Sequence, residues 1–153
     1  MPQENITDEE LADLIRRVED AAAAYFRGEV QTYLTLIKHT DDYTLMAPYG
    51  GEVTRGFDAS PERLEGMARF FQGSGATLEV AQSYTAGDMV VLVAIERQRG
   101  TVGDLPEQDW SLRVTLVFRR DGSEWRLAHR HADPLVHEIR FEQVAALARG
   151  RLL

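Results

Sequence analysis

The chain has 153 residues, no cysteine and a net charge of -8 with its four histidines neutral. That length suits a single domain, 1–153, with a sizeable core of its own, and the lack of cysteine excludes disulfides and thiolate chemistry. The negative charge opposes nucleic acid and anionic membrane surfaces. No apolar leader or bilayer-length apolar run is present, so the expectation is a cytoplasmic protein with no nucleic-acid or membrane partner.

Thr7-Asp8-Glu9-Glu10 has the pattern of a capping box. Leu11, Leu14, Ile15, Val18, Ala21, Ala22 and Tyr25 then keep helical spacing on one face, and Gly28 suits a helix C-terminus. A shorter helix uses Val30, Tyr33, Leu34 and Ile37 and ends near His39-Thr40-Asp41, where His39 would face the helix dipole. Residues 43–47 read as a strand, Pro48-Tyr49-Gly50-Gly51 as a turn and residues 52–57 as a short returning strand. A third helix starts near Ser60-Pro61 and stops at Gly73.

From there the chain changes character. Residues 76–86, 88–99, 108–119 and 124–133 are strand-like runs separated by turn signals, an antiparallel meander, and an amphipathic segment over about 138–149 closes the chain as a helix. Helices gathered early and strands late make an α+β fold, a curved antiparallel sheet whose concave face is covered by the three N-terminal-half helices.

The most informative segment is Trp125-Arg126-Leu127-Ala128-His129-Arg130-His131-Ala132-Asp133. In a regular strand Trp125, Leu127, His129, His131 and Asp133 share one face. Asp121-Gly122 is a hairpin signal, and a tight turn there sets this face against Phe118, Leu116, Val114, Leu112 and Trp110, all apolar. His129, His131 and Asp133 are therefore expected on the core face, lining a polar pocket with Trp110, Leu112 and Val114. Arg113, Thr115, Val117, Arg126 and Arg130 are expected on the outer face, as ion-paired surface or subunit contact.

His131 and Asp133, about 6.6 Å apart at Cα in a strand, could form an acid/base dyad whose carboxyl is raised by apolar surroundings and lowered by a charged imidazole. The bland alternative is a hydrogen-bonded pair that only fixes the strand end. A metal is not expected, because His129 and Asp133 lie about 13 Å apart in a regular strand and cannot share one ion with bonds near 2 Å. Tyr25 and Tyr33 read as core tyrosines that could present hydroxyls to a ligand, Tyr49 as a rim residue and His137 as exposed. Arg97 has no assigned face, since residues 90–95 are apolar throughout.

The order of elements, Gly28-Glu29, Met46-Ala47-Pro48-Tyr49-Gly50, Arg55-Gly56 and the closing Trp125-Arg126-Leu127-x-His129-x-His131-x-Asp133 resemble the SnoaL-like group of the nuclear transport factor 2-like superfamily, over about residues 7–135. The resemblance implies a cone-shaped α+β fold with a pocket between sheet and helices, and a homodimer through the outer sheet face. Activities in such proteins range from isomerases, cyclases and dehydratases to modules without chemistry. Matching landmarks to ketosteroid isomerases puts their helix-one tyrosine near Ala21, their base aspartate at Ala47 and their protonated aspartate near Leu116, so that constellation is absent. In SnoaL-like cyclases a late-sheet aspartate is the acid/base, and Asp133 is its nearest match. The expected function is binding of a small organic molecule, with cofactor-free acid/base chemistry by Asp133, His131 and His129, or else a non-catalytic binding or association module.

Overall fold

The computed structural model describes residues 4–150. In chain order the elements are α1 (Asp8–Phe26), α2 (Val30–Leu36), β1 (His39–Met46), β2 (Thr54–Arg55), α3 (Pro61–Phe70), β3 (Phe71–Ala86), β4 (Met89–Val102), β5 (Gln108–Asp109), β6 (Leu112–Asp121), β7 (Glu124–Asp133) and α4 (Phe141–Arg149). The capping box forms: the Glu10 amide donates to Thr7 Oγ1 and the Thr7 amide to Glu10 Oε1, both at 3.1 Å. At the other end of α1, Gly28 takes φ +83°, and a Cβ there would sit 2.5 Å from the Ala68 carbonyl oxygen and 2.7 Å from that of Phe71. Only glycine lets the α1–α2 corner approach the end of α3 so closely.

The sheet runs β2-β1-β7-β6-β4-β3, with β5 beside β4. It is antiparallel except for β1 and β7, which pair in parallel. The expected antiparallel meander forms as β3-β4-β6-β7, and the sheet becomes mixed because the first strand adds in parallel beside the last. Bulges interrupt the β3–β4, β6–β7 and β1–β7 ladders, and such irregularities bend a sheet. Several boundaries also moved, among them these. The second helix stops at Leu36, so His39 lies in a strand instead of at a helix end; β3 starts at Phe71; and β4 extends to Val102.

One face of the sheet is covered. Leu14, Val18 and Ala21 of α1 pack with Tyr43, Val90, Leu92, Ala94, Val114, Leu116, Phe118, Leu127 and Ala132 in one apolar core. Val91, Val93, Ile95, Thr115 and Val117 alternate onto the other, half-buried face. α4 adds no buried residue.

Candidate functional site

The Asp121-Gly122 hairpin forms, with Gly122 at φ +64° and Asp121 paired to Glu124. Phe118 stands opposite Leu127, but Val117 stands opposite His129, so Ala128 is an extra residue in β7. A one-residue bulge exchanges the faces of everything beyond it. His129 therefore faces outward with Val117 and Thr44, His131 with Thr115 and Met46, and Asp133 with Arg113. This corrects the expected pocket face for His129, His131 and Asp133.

Their contacts are those of an outer surface. His129 Nδ1 shares a hydrogen bond with Thr44 Oγ1 at 2.8 Å, and His131 is exposed. Asp133 accepts from Arg113 Nε at 2.8 Å and Nη2 at 3.0 Å, and its Oδ1 accepts from the Leu135 amide at 2.9 Å. Partial burial would raise its carboxyl, but these donors outweigh that and hold it below the usual value. These bonds tie it to Arg113 and the Leu135 backbone at the end of β7, on the outer face.

The same bulge turns Arg130 inward, opposite Leu116 and beside Leu45, where the outer ledge was expected to hold it. Glu96, in register with Val90, Leu92 and Ala94 on β4, meets it there. Glu96 Oε2 accepts from Nη1 at 2.7 Å and Oε1 from Nη2 at 2.8 Å. The Glu96 side chain is 5% exposed and that of Arg130 23%, so the carboxylate is the more deeply buried of the two. Burial disfavours the Arg130 charge, yet the carboxylate outweighs it and holds the guanidinium above its ordinary pKa.

Aromatic groups surround this pair. Tyr25, Tyr33 and Tyr43 all sense the Arg130 charge, and burial pushes each phenol up, that of Tyr43 to about 12. The Tyr33 hydroxyl and His39 Nε2 are hydrogen-bonded at 2.9 Å, and His39 stacks on Phe57 with ring centroids 4.2 Å apart. Desolvation lowers the His39 pKa to about 4, so its imidazole is neutral near pH 7. The Tyr25 hydroxyl donates to Met67 Sδ at 3.0 Å, a weak acceptor. Tyr43 is 3% exposed, and its hydroxyl has no protein partner among the described residues.

Of the other expected residues, Val114 is core, Leu112 packs against the core, and Trp110 donates its indole N–H to the Gly100 carbonyl at 3.1 Å. Val114 pairs with Ala132 beside His131, but its side chain points to the covered face and that of His131 to the outer one. Tyr49 is 84% exposed, in the turn after β1. Arg97 lies outward and pairs with Glu79. The outer arginines Arg113, Arg119 and Arg126 are each ion-paired, with Asp133, with Asp42, and with Asp121 and Glu124. Two open surface clefts, of about 510 and 580 Å³, lie at the α2–α3 corner and at the β3–β4 edge; neither includes Arg130, Glu96 or the histidines.

The model of the SnoaL-like domain matches residues 15–136. This chain belongs to that family. Solved structures repeat the SnoaL-like architecture at low identity. An NTF2-like protein from Rhodospirillum rubrum, described as of unknown function in nutrient uptake, is 24% identical with a TM-score of 0.60, over 80% of this chain and 96% of that one. A candidate dehydratase of the NTF2-like family from Streptomyces avermitilis is 18% identical with a TM-score of 0.63, over 85% and 99%. The association domain of C. elegans CaMKII is 14% identical with a TM-score of 0.59, over 83% and 99%. No curated protein matches the chain. The likenesses establish the SnoaL-like fold, which such different proteins share. No helix among the described residues is long and apolar enough to cross a membrane.

Proposed function

We propose that this SnoaL-like protein binds a small organic molecule between the helices and the sheet, at Arg130, Glu96, Tyr25, Tyr33, Tyr43 and His39. The observation that carries this reading is the buried Glu96–Arg130 fork beside Tyr25, whose hydroxyl donates to a sulfur, and Tyr43, whose hydroxyl has no protein partner among the described residues. Polar groups inside a core are normally satisfied, and convergent donors in apolar surroundings are the usual anchor of a ligand. Acid/base chemistry of the isomerase, cyclase or dehydratase type belongs here and not at Asp133. His39 and Tyr33 would carry the proton, while Arg130 and Tyr43 would stabilise oxyanion charge; such chemistry needs no cofactor. The test is native mass spectrometry of protein purified without denaturation, comparing wild type with the folded double variant Glu96→Met, Arg130→Met, which strands no buried charge. A small molecule retained by wild type and by His131→Ala, but lost from the folded double variant, supports this site; retention by all three, or none carried by wild type, overturns it.

A second reading, association between copies, is favoured by a different observation. Val91, Val93, Ile95 and Val117 form a half-buried aliphatic strip on the outer face, bordered by the Arg113–Asp133, Arg119–Asp42 and Arg97–Glu79 pairs. An apolar centre with a charged rim is the anatomy of an interface, and a homodimer through this face is compatible with an interior ligand site.

A further inference from the structure

We infer that Glu96 is a specificity residue, which makes the interior site take an uncharged ligand with an oxygen acceptor, such as a ketone, and reject the corresponding carboxylate. The inference rests on the interior site proposed above and deepens it. Its basis is the distribution of donors and charge around Arg130.

The donors are plentiful. Glu96 occupies one N–H on each terminal nitrogen of Arg130. That leaves three of the five guanidinium N–H groups, the Nε–H and one on each terminal nitrogen, without a protein partner among the described residues. The Tyr43 hydroxyl adds another donor in a residue that is itself almost fully buried, and the Tyr25 hydroxyl is engaged, among the described residues, only by the Met67 sulfur. A ligand oxygen with two lone pairs answers this set.

The charge count then separates two ligand classes that offer the same oxygen. Glu96 already cancels Arg130. His39 is neutral near pH 7, and Tyr25, Tyr33 and Tyr43 stay protonated. A carboxylate entering this set would leave one net negative charge in a largely desolvated interior, with Glu96 as a like-charged neighbour, and an unmatched buried ion is costly. A carbonyl takes the same hydrogen bonds with no unmatched charge. Were Arg130 alone, without Glu96, the preference would invert.

The experiment uses acetophenone and benzoate, which share a ring and differ in the charge of the oxygen group. Each is titrated at pH 7 into the full-length protein labelled with nitrogen-15, following the Arg130 side-chain Nε–H and the amides of Tyr43 and Arg130. The expected result is saturable perturbation by acetophenone with a Kd at least tenfold below that of benzoate, and loss or reversal of that ratio in Glu96→Gln. Equal or tighter binding of benzoate by wild type overturns the role of Glu96 while leaving the interior site in place, as does an unchanged ratio in the variant. If neither compound perturbs these signals up to millimolar concentration, the interior site fails and the inference fails with it. The ranking on wild type decides even where the variant does not fold.

Discussion

Arg130 stands directly opposite Leu116 across β6 and β7, on the covered face of the sheet. A guanidinium there survives only through Glu96, so removing one partner should cost far more than removing both. Arg130→Met is expected to lower unfolding stability by about 3–5 kcal/mol, because it strands the Glu96 carboxylate, whereas Glu96→Met with Arg130→Met should recover most of that loss. Urea denaturation of the single and double variants measures both. A double variant as unstable as the single would show that the fork itself, and not the unpaired charge, holds the fold.

The outer position of the histidines and Asp133 makes a contrasting expectation. His131→Ala removes an exposed side chain and should change stability by no more than about 0.5 kcal/mol. Asp133→Asn loses the charge of a partly exposed pair with Arg113 and weakens the acceptor for the Leu135 amide, a loss of about 1 kcal/mol. Neither should alter retention of an interior ligand. Thermal melts together with native mass spectrometry test this, and loss of ligand from Asp133→Asn without unfolding would return the carboxylate to the site.

One residue, Ala128, reverses the faces that regular alternation gives His129, His131 and Asp133. Element order, the capping box, the Gly28 corner, the hairpin at Asp121-Gly122 and the inward parity of Val114, Leu116 and Phe118 were all legible, because each follows from local pattern or turn chemistry. Regular alternation beyond Leu127 was the step that failed. Ala128 is small, apolar and buried like its neighbour Leu127, so nothing local distinguishes a bulge there from a continuous strand. Glu96 escaped for a related reason: residues 90–95 are apolar on both faces, and only pairing with β6 and Arg130 shows which side is inward. His39 escaped because its strand is defined by a parallel partner from the far end of the chain, which no local window contains.

His39 supplies a pH dependence with a definite sign. Desolvation lowers its pKa from the ordinary 6.5 to about 4 in the fold, so between those values the unfolded chain binds more protons than the native one. Stability is then fully present above about pH 6.5 and declines as pH falls toward 4, by up to about 3 kcal/mol before allowance for partial exposure. His39→Gln should flatten this part of the profile in urea titrations from pH 7.5 to 4.5. An imidazole that titrates near 6.5 by NMR in the folded protein would remove the basis for the effect.

The aliphatic strip of the outer face makes the last expectation quantitative. Val93 lies between Gln82 on β3 and Thr115 on β6, with its side chain on the half-buried outer surface and outside the core around Leu92 and Ala94. If copies associate through this face, Val93→Lys places two like charges near a two-fold contact and removes apolar area from its centre. Light scattering of wild type at micromolar concentration should give twice the chain mass. The variant should dissociate at least tenfold more readily, a change of about 1.4 kcal/mol or more, with an intact native spectrum because no core contact is touched. A wild type that remains at the single-chain mass would falsify association through this face, and a variant that stays dimeric would move the contact elsewhere, α4 with its 87% exposed Phe141 being the next surface to test.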